Sequence, residues 1–298
     1  MLASGLRISK ATKLYTNRCQ LQSRRQFTIA IDGPAASGKS STARAVAAEL
    51  GFGYIDSGSI YRCATLLALR QNIAEISKHT DQLLTLIHGS SVNINVRPAS
   101  STHMVPGLGR LAVPEVQVLL NGEDVSREIR KPEVNRMVAK VASESKVRDA
   151  VLGIQRNLAA GAQSQSIKRQ TESTEGLPGG VVMDGRDIGT TIFPNAELKI
   201  YLDASAMARA IRRWDEMNNQ LKESKQQQQQ SAAEATAKNA DNAGTLPQQQ
   251  DEAYPSVEEI ARELEARDYA DINREHSPLR IASDAVVIDN TNLTFEQQ

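Results

Sequence analysis

Apolar residues along the chain fall into short runs that are separated by stretches of helical spacing. The first run, Phe27 to Asp32 (FTIAID), ends at a glycine-rich turn, and a helical pattern follows from Ser41 to Leu50 and stops at Gly51. Further short runs predict four more strands: Gly53 to Ile55, Val181 to Asp184, Leu198 to Leu202 and Ala285 to Asp289. Because helical segments separate the runs, we expect an α/β fold with a five-stranded parallel sheet flanked by helices.

A different pattern lies between Ser91 and Leu120, where apolar and polar residues alternate. The alternating apolar positions are Val92, Ile94, Val96, Val116, Val118 and Leu120. Alternation of this kind predicts a small antiparallel β insert, which we place at about residues 89–130. Helices are then expected from Pro132 to about Leu158, with the proline near a first turn.

Three segments contain few large apolar residues: 1–26, 162–180 and 219–253. The last of them carries glutamine runs at 226–230 and 248–250. Such polar tracts bury too little apolar surface to offset the entropy of ordering, so we expect disordered insertions at about 162–180 and 219–253. The rest of 27–298 has the length and the apolar content of one domain.

Residues 1–26 contain basic residues and no acidic ones, although the whole chain has no net charge. The basic residues are Arg7, Lys10, Lys13, Arg18, Arg24 and Arg25. Together with serine, threonine and spaced leucine residues, this composition predicts a mitochondrial transit peptide; a disordered basic tail on a cytoplasmic protein is the alternative. The remainder of the chain is slightly acidic, which argues against binding to a nucleic acid polymer.

The composition limits other classes of function as well. Cys19 and Cys63 are too few and too far apart in sequence to indicate a disulfide framework or a metal site. No apolar run approaches the roughly 20 residues that cross a bilayer, so we expect no membrane partner. We also expect the protein to be a monomer.

The residues after the first predicted strand match the P-loop pattern G-x-x-x-x-G-K-[ST]: Gly33, Pro34, Ala35, Ala36, Ser37, Gly38, Lys39 and Ser40. Glycines let such a loop curl so that its N–H groups point at a phosphate, and the helix N-terminus adds partial positive charge. We predict that this loop and Ser41 bind ATP, that Lys39 reaches the β/γ phosphate oxygens, and that Ser40 ligates Mg²⁺. A glycine turn with an exposed lysine is the alternative.

The P-loop pattern does not distinguish a kinase from a GTPase or a motor ATPase, so other residues must. Asp184 ends a predicted strand, and we expect it to hold Mg²⁺ through water, with turn formation before Gly185 as the alternative. Downstream of the second strand, Ser57 is expected to cap a helix whose first turns present Tyr61 and Arg62.

Further polar segments follow one another along the chain: Asn121 to Ser126, Glu128 to Arg130, Val147-Arg148, Asp184 to Thr190, and Arg267-Asp268 with Asp271 and Arg274. Together with Asp56 to Arg62, they resemble the motifs of the bacterial-type cytidylate kinases, which are P-loop nucleoside monophosphate kinases. The shared motifs are D-S-G-x-x-Y-R, D-G-R-D-x-G-T and R-D-x-x-D-x-x-R. The resemblance runs from residue 27 almost to the C-terminus, apart from the two polar insertions.

This resemblance implies ATP-dependent phosphorylation of CMP or dCMP by direct in-line transfer. It implies ATP and a pyrimidine nucleoside monophosphate as substrates, Mg²⁺ as the cofactor, and a helical lid over the parallel sheet. Another small-molecule P-loop kinase, or a nucleotide-binding module without turnover, are the alternatives. Because the attacking group is an ionised phosphate oxygen, this reaction requires no general base.

The resemblance also implies roles for acceptor-side residues. The implied contacts are with phosphate (Arg62, Arg186), with cytosine (Arg148, Asp187), with ribose (Asp271) and with the acceptor in general (Ser57, Arg267, Arg274). Taken without the resemblance, the spacing of Arg267 and Asp271 at i and i+4 leaves a surface salt bridge open.

A group of three arginines follows the fourth predicted strand. Arg209, Arg212 and Arg213 resemble the arginines near the mobile lid of the family. We expect them, together with Lys39 and Arg186, to neutralise the transferring phosphoryl group; a solvated helix face is the alternative.

Position 139 departs from the family pattern, because it is alanine where bacterial relatives commonly carry a serine near the cytosine. Ala139 is therefore expected to weaken selection for the base, unless Ser143, one helical turn further along, supplies the hydroxyl.

Overall fold

The computed structural model describes residues 27–97, 103–105, 109–111, 114–172, 179–219, 255–294 and 297. Its strands are β1 (Phe27–Asp32), β2 (Gly53–Asp56), β3 (Val92–Arg97), β4 (His103–Val105), β5 (Gly109–Leu111), β6 (Glu115–Leu120), β7 (Glu123–Asp124), β8 (Gly180–Gly185), β9 (Leu198–Asp203) and β10 (Val286–Asp289). Its α-helices are α1 (Lys39–Leu50), α2 (Ser57–Arg70), α3 (Thr80–His88), α4 (Pro132–Ser143), α5 (Ser145–Glu172), α6 (206–219) and α7 (Val257–Asn273).

The main sheet has five parallel strands in the order β10-β9-β1-β8-β2, which confirms the predicted fold class. β1 is the central strand and pairs with β8 on one side and with β9 on the other. The register places Asp32, the last residue of β1, opposite Gly185, the last residue of β8. The segments that follow these two residues therefore begin side by side at the carboxyl edge of the sheet.

Helices cover both faces of the sheet. Successive side chains of each strand point to opposite faces, so each strand contributes to two cores. On one face Ala30 and Met183 pack in a core with residues of α2 and α5. On the other face Ile31 and Val182 pack with Ala43 and other residues of α1. Burial on both sides explains why the strands read as continuous apolar runs in the sequence.

The antiparallel insert is confirmed. β3 pairs antiparallel with β6, and β6 pairs with β7 in a three-stranded sheet. Val118 and Leu120 of β6 pack with Cys63 and Leu66 of α2, so the insert has a small core of its own beside the main sheet.

The helical region after the insert differs from the prediction. Pro132 begins α4 as expected, and Glu144 ends it before α5 starts. α5 then continues to Glu172, so the disordered insertion expected from residue 162 is wrong over 162–172. This stretch carries alanine, glutamine, lysine and arginine, which favour a helix once the preceding turns are anchored in the core. A count of large apolar residues cannot detect that preference.

Several predictions lie outside the described residues. These are the transit peptide or basic tail at 1–26, residues 173–178 of the first insertion, and residues 220–253 of the second. Residue 219 is the last one described in α6.

Candidate active site

The loop between β1 and α1 needs glycine at two of its positions. Gly33 has φ +148°, and a Cβ on it would lie 2.0 Å from the carbonyl oxygen of Leu202 in β9. Gly38 precedes α1 with φ +89°, a left-handed conformation that side chains disfavour. The loop therefore curls tightly around the N-terminus of α1, the geometry that a phosphate-binding loop requires.

Lys39 is folded back over this loop. Its ammonium group donates to the Pro34 carbonyl at 2.6 Å and lies 3.4 Å from the Ser37 hydroxyl. Burial, and next the charge of Arg186, hold the pKa of Lys39 well below its usual value. The alternative of a glycine turn with an exposed lysine is wrong, because Lys39 is only 5% exposed.

Ser40 and Asp184 form the pair of oxygen donors expected for Mg²⁺. The Ser40 hydroxyl donates to one carboxylate oxygen of Asp184 at 2.7 Å, and the Tyr54 hydroxyl donates to the other at 2.7 Å. Burial, with a smaller contribution from Asp56, raises the pKa of Asp184 to about 6.

This donor set fits Mg²⁺, which prefers hydroxyl, carboxylate and water oxygens and takes few ligands from the protein when phosphates are present. In the described part of the chain no group of three histidine, cysteine or acidic residues forms a metal cage. A phosphate-bridged ion held by one hydroxyl and one carboxylate needs no such cage.

Asp32 was not singled out by the sequence. Its carboxylate accepts hydrogen bonds from the backbone N–H groups of Ile188 at 2.8 Å and Gly189 at 2.7 Å. Burial raises its pKa to about 6. Asp32 thus ties the end of β1, where the P-loop begins, to the segment after β8. The sequence signal that could have identified Asp32 is an acidic residue at the end of a buried strand.

The segment after β8 forms a buried ion pair with α5. Nη2 of Arg148 lies 2.5 Å from Oδ2 of Asp187, and both side chains are buried. The Arg148 guanidinium also lies over the ring of Tyr61, 5.3 Å from its centroid. Residues from α2, α5 and the β8 turn are thereby brought together, as the resemblance implied.

Arg274, just beyond the end of α7, completes this group. Its Nη2 lies 3.8 Å from Oδ1 of Asp187. Nε of Arg148 and Nη2 of Arg274 are buried and find no hydrogen-bond acceptor among the described residues. Buried donors of this kind are costly unless a ligand satisfies them, so these two nitrogens are candidates for contact with a ligand bound beside Asp187.

Asp271 pairs with Arg186 and Arg274, and not with Arg267, which lies one turn before it on α7. Nε of Arg186 lies 3.0 Å from Oδ2 of Asp271, and Nη1 of Arg274 lies 3.5 Å from Oδ1. Arg267 makes no ion pair within the part of the chain that the structure describes. The surface salt bridge between Arg267 and Asp271 that the spacing allowed is therefore absent from these residues.

Positive charge is concentrated between the P-loop and this pocket. Burial, followed by the charge of Arg186, lowers the pKa of Arg267 to about 10. Burial also lowers the pKa of Arg62. The pKa of a cation falls when the cation is desolvated beside other cations. A bound anion would therefore stabilise the charged forms of the cluster of Arg62, Arg186 and Arg267.

Arg62 is held by the end of the insert and by α4, and Ser57 is not the cap of α2. Arg62 donates to the Asn135 side chain and to the Ile129 carbonyl, the latter at 3.2 Å. The N-cap of α2 is Asp56, whose carboxylate accepts from the N–H of Ser59 at 3.1 Å. The predicted capping role of Ser57 is therefore wrong, because the preceding aspartate reaches the free N–H first.

The three arginines of α6 do not converge on one point. Arg209 pairs with Asp268 at 2.6 Å and donates to the Ala35 carbonyl at 3.0 Å. The partners of the other two are the side chain and carbonyl oxygens of Asn290 for Arg212, at 2.9 and 2.6 Å, and Glu216 for Arg213, at 2.7 Å. This arrangement does not support the expectation that all three hold the transferring group.

Arg209 and Arg212 instead brace the P-loop. Asp268, the partner of Arg209, lies 3.3 Å from the Ala35 N–H, so this pair contacts both sides of one P-loop residue. Asn290, the partner of Arg212, donates to the Ser37 carbonyl at 2.7 Å.

The sheet order and the P-loop define a P-loop nucleotide-binding protein. A family model described as cytidylate kinase matches residues 29–245 and 236–298. The chain is 37% identical over 276 residues to the cytidylate kinase of Pelodictyon phaeoclathratiforme, with 92% of each chain covered. It is 38% identical over 275 residues to that of Bacillus velezensis, covering 92% of this chain and 93% of the relative. This chain therefore belongs to the cytidylate kinase family.

Neither the relatives nor the structure support the predicted mitochondrial location. The relatives compared are bacterial proteins. The proposed leader falls outside the described residues. Among the helices that the structure describes, none combines the length and the hydropathy needed to cross a bilayer.

Proposed function

We propose that this chain transfers the γ-phosphoryl group of ATP to CMP or dCMP, giving ADP and CDP or dCDP. The observation that carries the proposal is the placement of the P-loop beside the pocket around Asp187, at the ends of the adjacent strands β1 and β8. Donor and acceptor phosphates bound at these two places meet over the cluster of Lys39, Arg186 and Arg267. Family membership supports the same assignment.

On the donor side, the P-loop supplies N–H groups and the positive end of α1 to the β-phosphate. Lys39 exchanges its contact with the Pro34 carbonyl for the phosphate oxygens that bridge donor and transferred group. Ser40, with Asp184 behind it, would hold Mg²⁺, which supplies positive charge to the phosphates when bound.

On the acceptor side, the attacking phosphate oxygen is already ionised near neutral pH. The protein therefore contributes alignment and neutralisation of charge, not proton transfer. Arg62, Arg186 and Arg267 are proposed to bind the acceptor phosphate, and the contact of Arg186 with Asp271 orients its guanidinium.

Selection of the base is proposed to rest on Asp187 and Arg148. Cytosine carries an amino group that donates hydrogen bonds, and the Asp187 carboxylate accepts them. Arg148 offers its buried, unpaired Nε as a donor to an acceptor atom of the base. Uracil has a carbonyl where cytosine has the amino group, so it would place an oxygen with no proton to donate against the Asp187 carboxylate.

A coupled ADP-release assay with a panel of nucleoside monophosphates tests this function. We expect CMP and dCMP to be phosphorylated well and UMP, AMP and GMP poorly. Preference for another acceptor would indicate a different small-molecule kinase, and binding of ATP and CMP without ADP release would indicate a nucleotide-binding module without turnover. A Lys39→Met preparation controls for contaminating kinases.

Two further expectations rest on the sequence. The monomeric state can be checked by sedimentation of the purified chain.

The mitochondrial destination rests on the composition of residues 1–26 alone. Fusion of residues 1–30 to a fluorescent reporter tests it, and a diffuse cytosolic signal would remove it.

A further inference from the structure

Gln155 is a polar residue in an apolar position. It lies on α5 in line with Val147, Val151 and Ala159, at successive intervals of four residues, and all of these are buried in the main core. Gln155 itself is 1% exposed. An amide in such a stripe costs free energy unless it is hydrogen-bonded, whereas an apolar side chain would pack there without that cost.

The side-chain amide of Gln155 is hydrogen-bonded to Ser57. Nε2 of Gln155 donates to Oγ of Ser57 at 2.7 Å. Ser57 is the first residue of α2, is 3% exposed, and is not used for capping, since Asp56 performs that role. The hydrogen bond between Gln155 and Ser57 therefore does not cap the helix and satisfies no backbone group.

The hydrogen bond from Gln155 determines whether the Ser57 hydroxyl can donate its own proton to a ligand. A hydroxyl has one proton to donate and lone pairs that accept. Gln155 occupies a lone pair, and the Ser57 hydroxyl donates to no acceptor among the residues that the structure describes. Without Gln155, nothing among the described residues holds the hydroxyl in this orientation.

Ser57 also lies at the acceptor pocket. A Cβ placed on Gly185 would come within 3.3 Å of the Ser57 Cβ, so Ser57 touches the residue that precedes Arg186 and Asp187. Arg148 lies seven residues, or two helical turns, before Gln155 on the same helix. α5 thus contributes to the pocket directly through Arg148 and indirectly through Gln155.

We propose that Gln155 is a positioning residue that keeps the Ser57 hydroxyl as a hydrogen-bond donor to the acceptor nucleotide. The proposal rests on the proposed function. It assigns to Gln155 an effect on acceptor binding and none on ATP binding.

The test is a double-mutant cycle with Ser57→Ala, Gln155→Met and the double variant. Methionine has nearly the shape of glutamine and no amide, and Gln155→Leu provides a second apolar replacement. The measured quantities are the KM for CMP, the KM for ATP, kcat, the Kd for CMP by calorimetry, and the melting temperature. Ala159→Gly, one turn further along the buried stripe, is the matched control for a weakened α5.

We expect each single variant to raise the KM for CMP about fivefold to tenfold, with the KM for ATP changed less than twofold. The double variant should be no worse than either single one, because both remove the same interaction. Ala159→Gly should lower the melting temperature without raising the KM for CMP.

The proposal is overturned if Gln155→Met and Gln155→Leu leave the KM for CMP unchanged, or if their effects add to that of Ser57→Ala. Failure of the proposed function is a separate outcome, since it would show as a wild-type enzyme that releases no ADP with CMP. In that case the same cycle, read as Kd for CMP, still decides whether Gln155 acts through Ser57.

Discussion

The hydroxyl of Ser40 donates a 2.7 Å hydrogen bond to Asp184, a residue 144 positions further along the chain. The contact exists because β1 and β8 are neighbours in the sheet, so the start of α1 meets the end of β8. Tyr54 from β2 binds the other carboxylate oxygen and holds Asp184 in place. Three separate parts of the chain thus assemble the oxygen donors proposed for Mg²⁺.

Lys39→Met should lower kcat at least about 100-fold, the usual effect of removing a charged group that stabilises the transition state. Stability should be unchanged or higher, because burial already disfavours the charge of Lys39 and methionine fills a similar volume. ADP release and thermal unfolding measure the two effects. Lys146→Met, at an exposed lysine paired with Asp81, is the control and should behave as wild type. Near-normal turnover in Lys39→Met would refute its P-loop role.

Gly33→Ala should destabilise the protein by at least about 2 kcal/mol and abolish ATP binding, because the new methyl group would collide with the Leu202 carbonyl. Gly153→Ala is the matched change. Gly153 lies in the interior of α5, and a Cβ there meets nothing within 4 Å, so alanine should stabilise the protein by up to about 1 kcal/mol. Denaturant unfolding compares the two. Equal effects would show that Gly33 is not required by the close approach of β9.

Asp32 should make stability depend on pH. Burial raises its pKa from 3.8 to about 6 in the folded protein, so its contribution to stability is fully present below pH 3.8 and is lost as the pH rises through 6. Asparagine does not titrate. The free energy of unfolding of Asp32→Asn relative to wild type should therefore rise by up to about 3 kcal/mol between pH 3.8 and 6.

Asp289→Asn is the control for this pH dependence. Asp289 is exposed, and the hydroxyl of Thr291, followed by its N–H, lowers the pKa of Asp289. Its contribution is present at neutral pH and is lost as the pH falls, so the difference between variant and wild type should have the opposite sign. A difference for Asp32→Asn that does not vary with pH would contradict the raised pKa.

Ala139→Ser should improve kcat/KM for CMP more than for UMP, by up to about tenfold, the order of magnitude of one neutral hydrogen bond. Ala139 is exposed on α4, three residues before Ala142, whose carbonyl accepts from Arg148 at 3.1 Å. Ser143 already donates to the Lys140 carbonyl at 2.9 Å. Both substrates should be measured on wild type, Ala139→Ser and Ser143→Ala. An unchanged ratio in Ala139→Ser would show that position 139 does not read the base.

Much of the fold was predictable because each parallel strand is buried on both faces and therefore stands out as an apolar run. β1 has the predicted bounds, and β10 differs from its prediction by one residue. The last turns of α5 were missed, since helix propensity in a polar stretch is weak until the core anchors the preceding turns. The apolar content of a segment indicates whether the segment is buried, and it does not indicate helix propensity.

The sequence located candidate site residues where motifs are contiguous and missed buried polar residues elsewhere. The P-loop and the Arg186-Asp187 turn were found as short patterns. Asp32, Gln155 and Tyr54 were not, because a single buried polar residue in a strand or helix leaves no periodic signal. Their roles depend on a partner that lies far away in sequence.

By itself, the sequence determined the parallel α/β architecture and the phosphate-binding loop, since both depend on residues that are adjacent in the chain. Only the tertiary structure decided which charges pair. Asp271 binds Arg186 across the carboxyl edge of the sheet instead of Arg267 on its own helix. Arg209 likewise binds Asp268 beside the P-loop. The choice follows from distance and burial, which depend on the order of strands in the sheet and not on spacing along the chain.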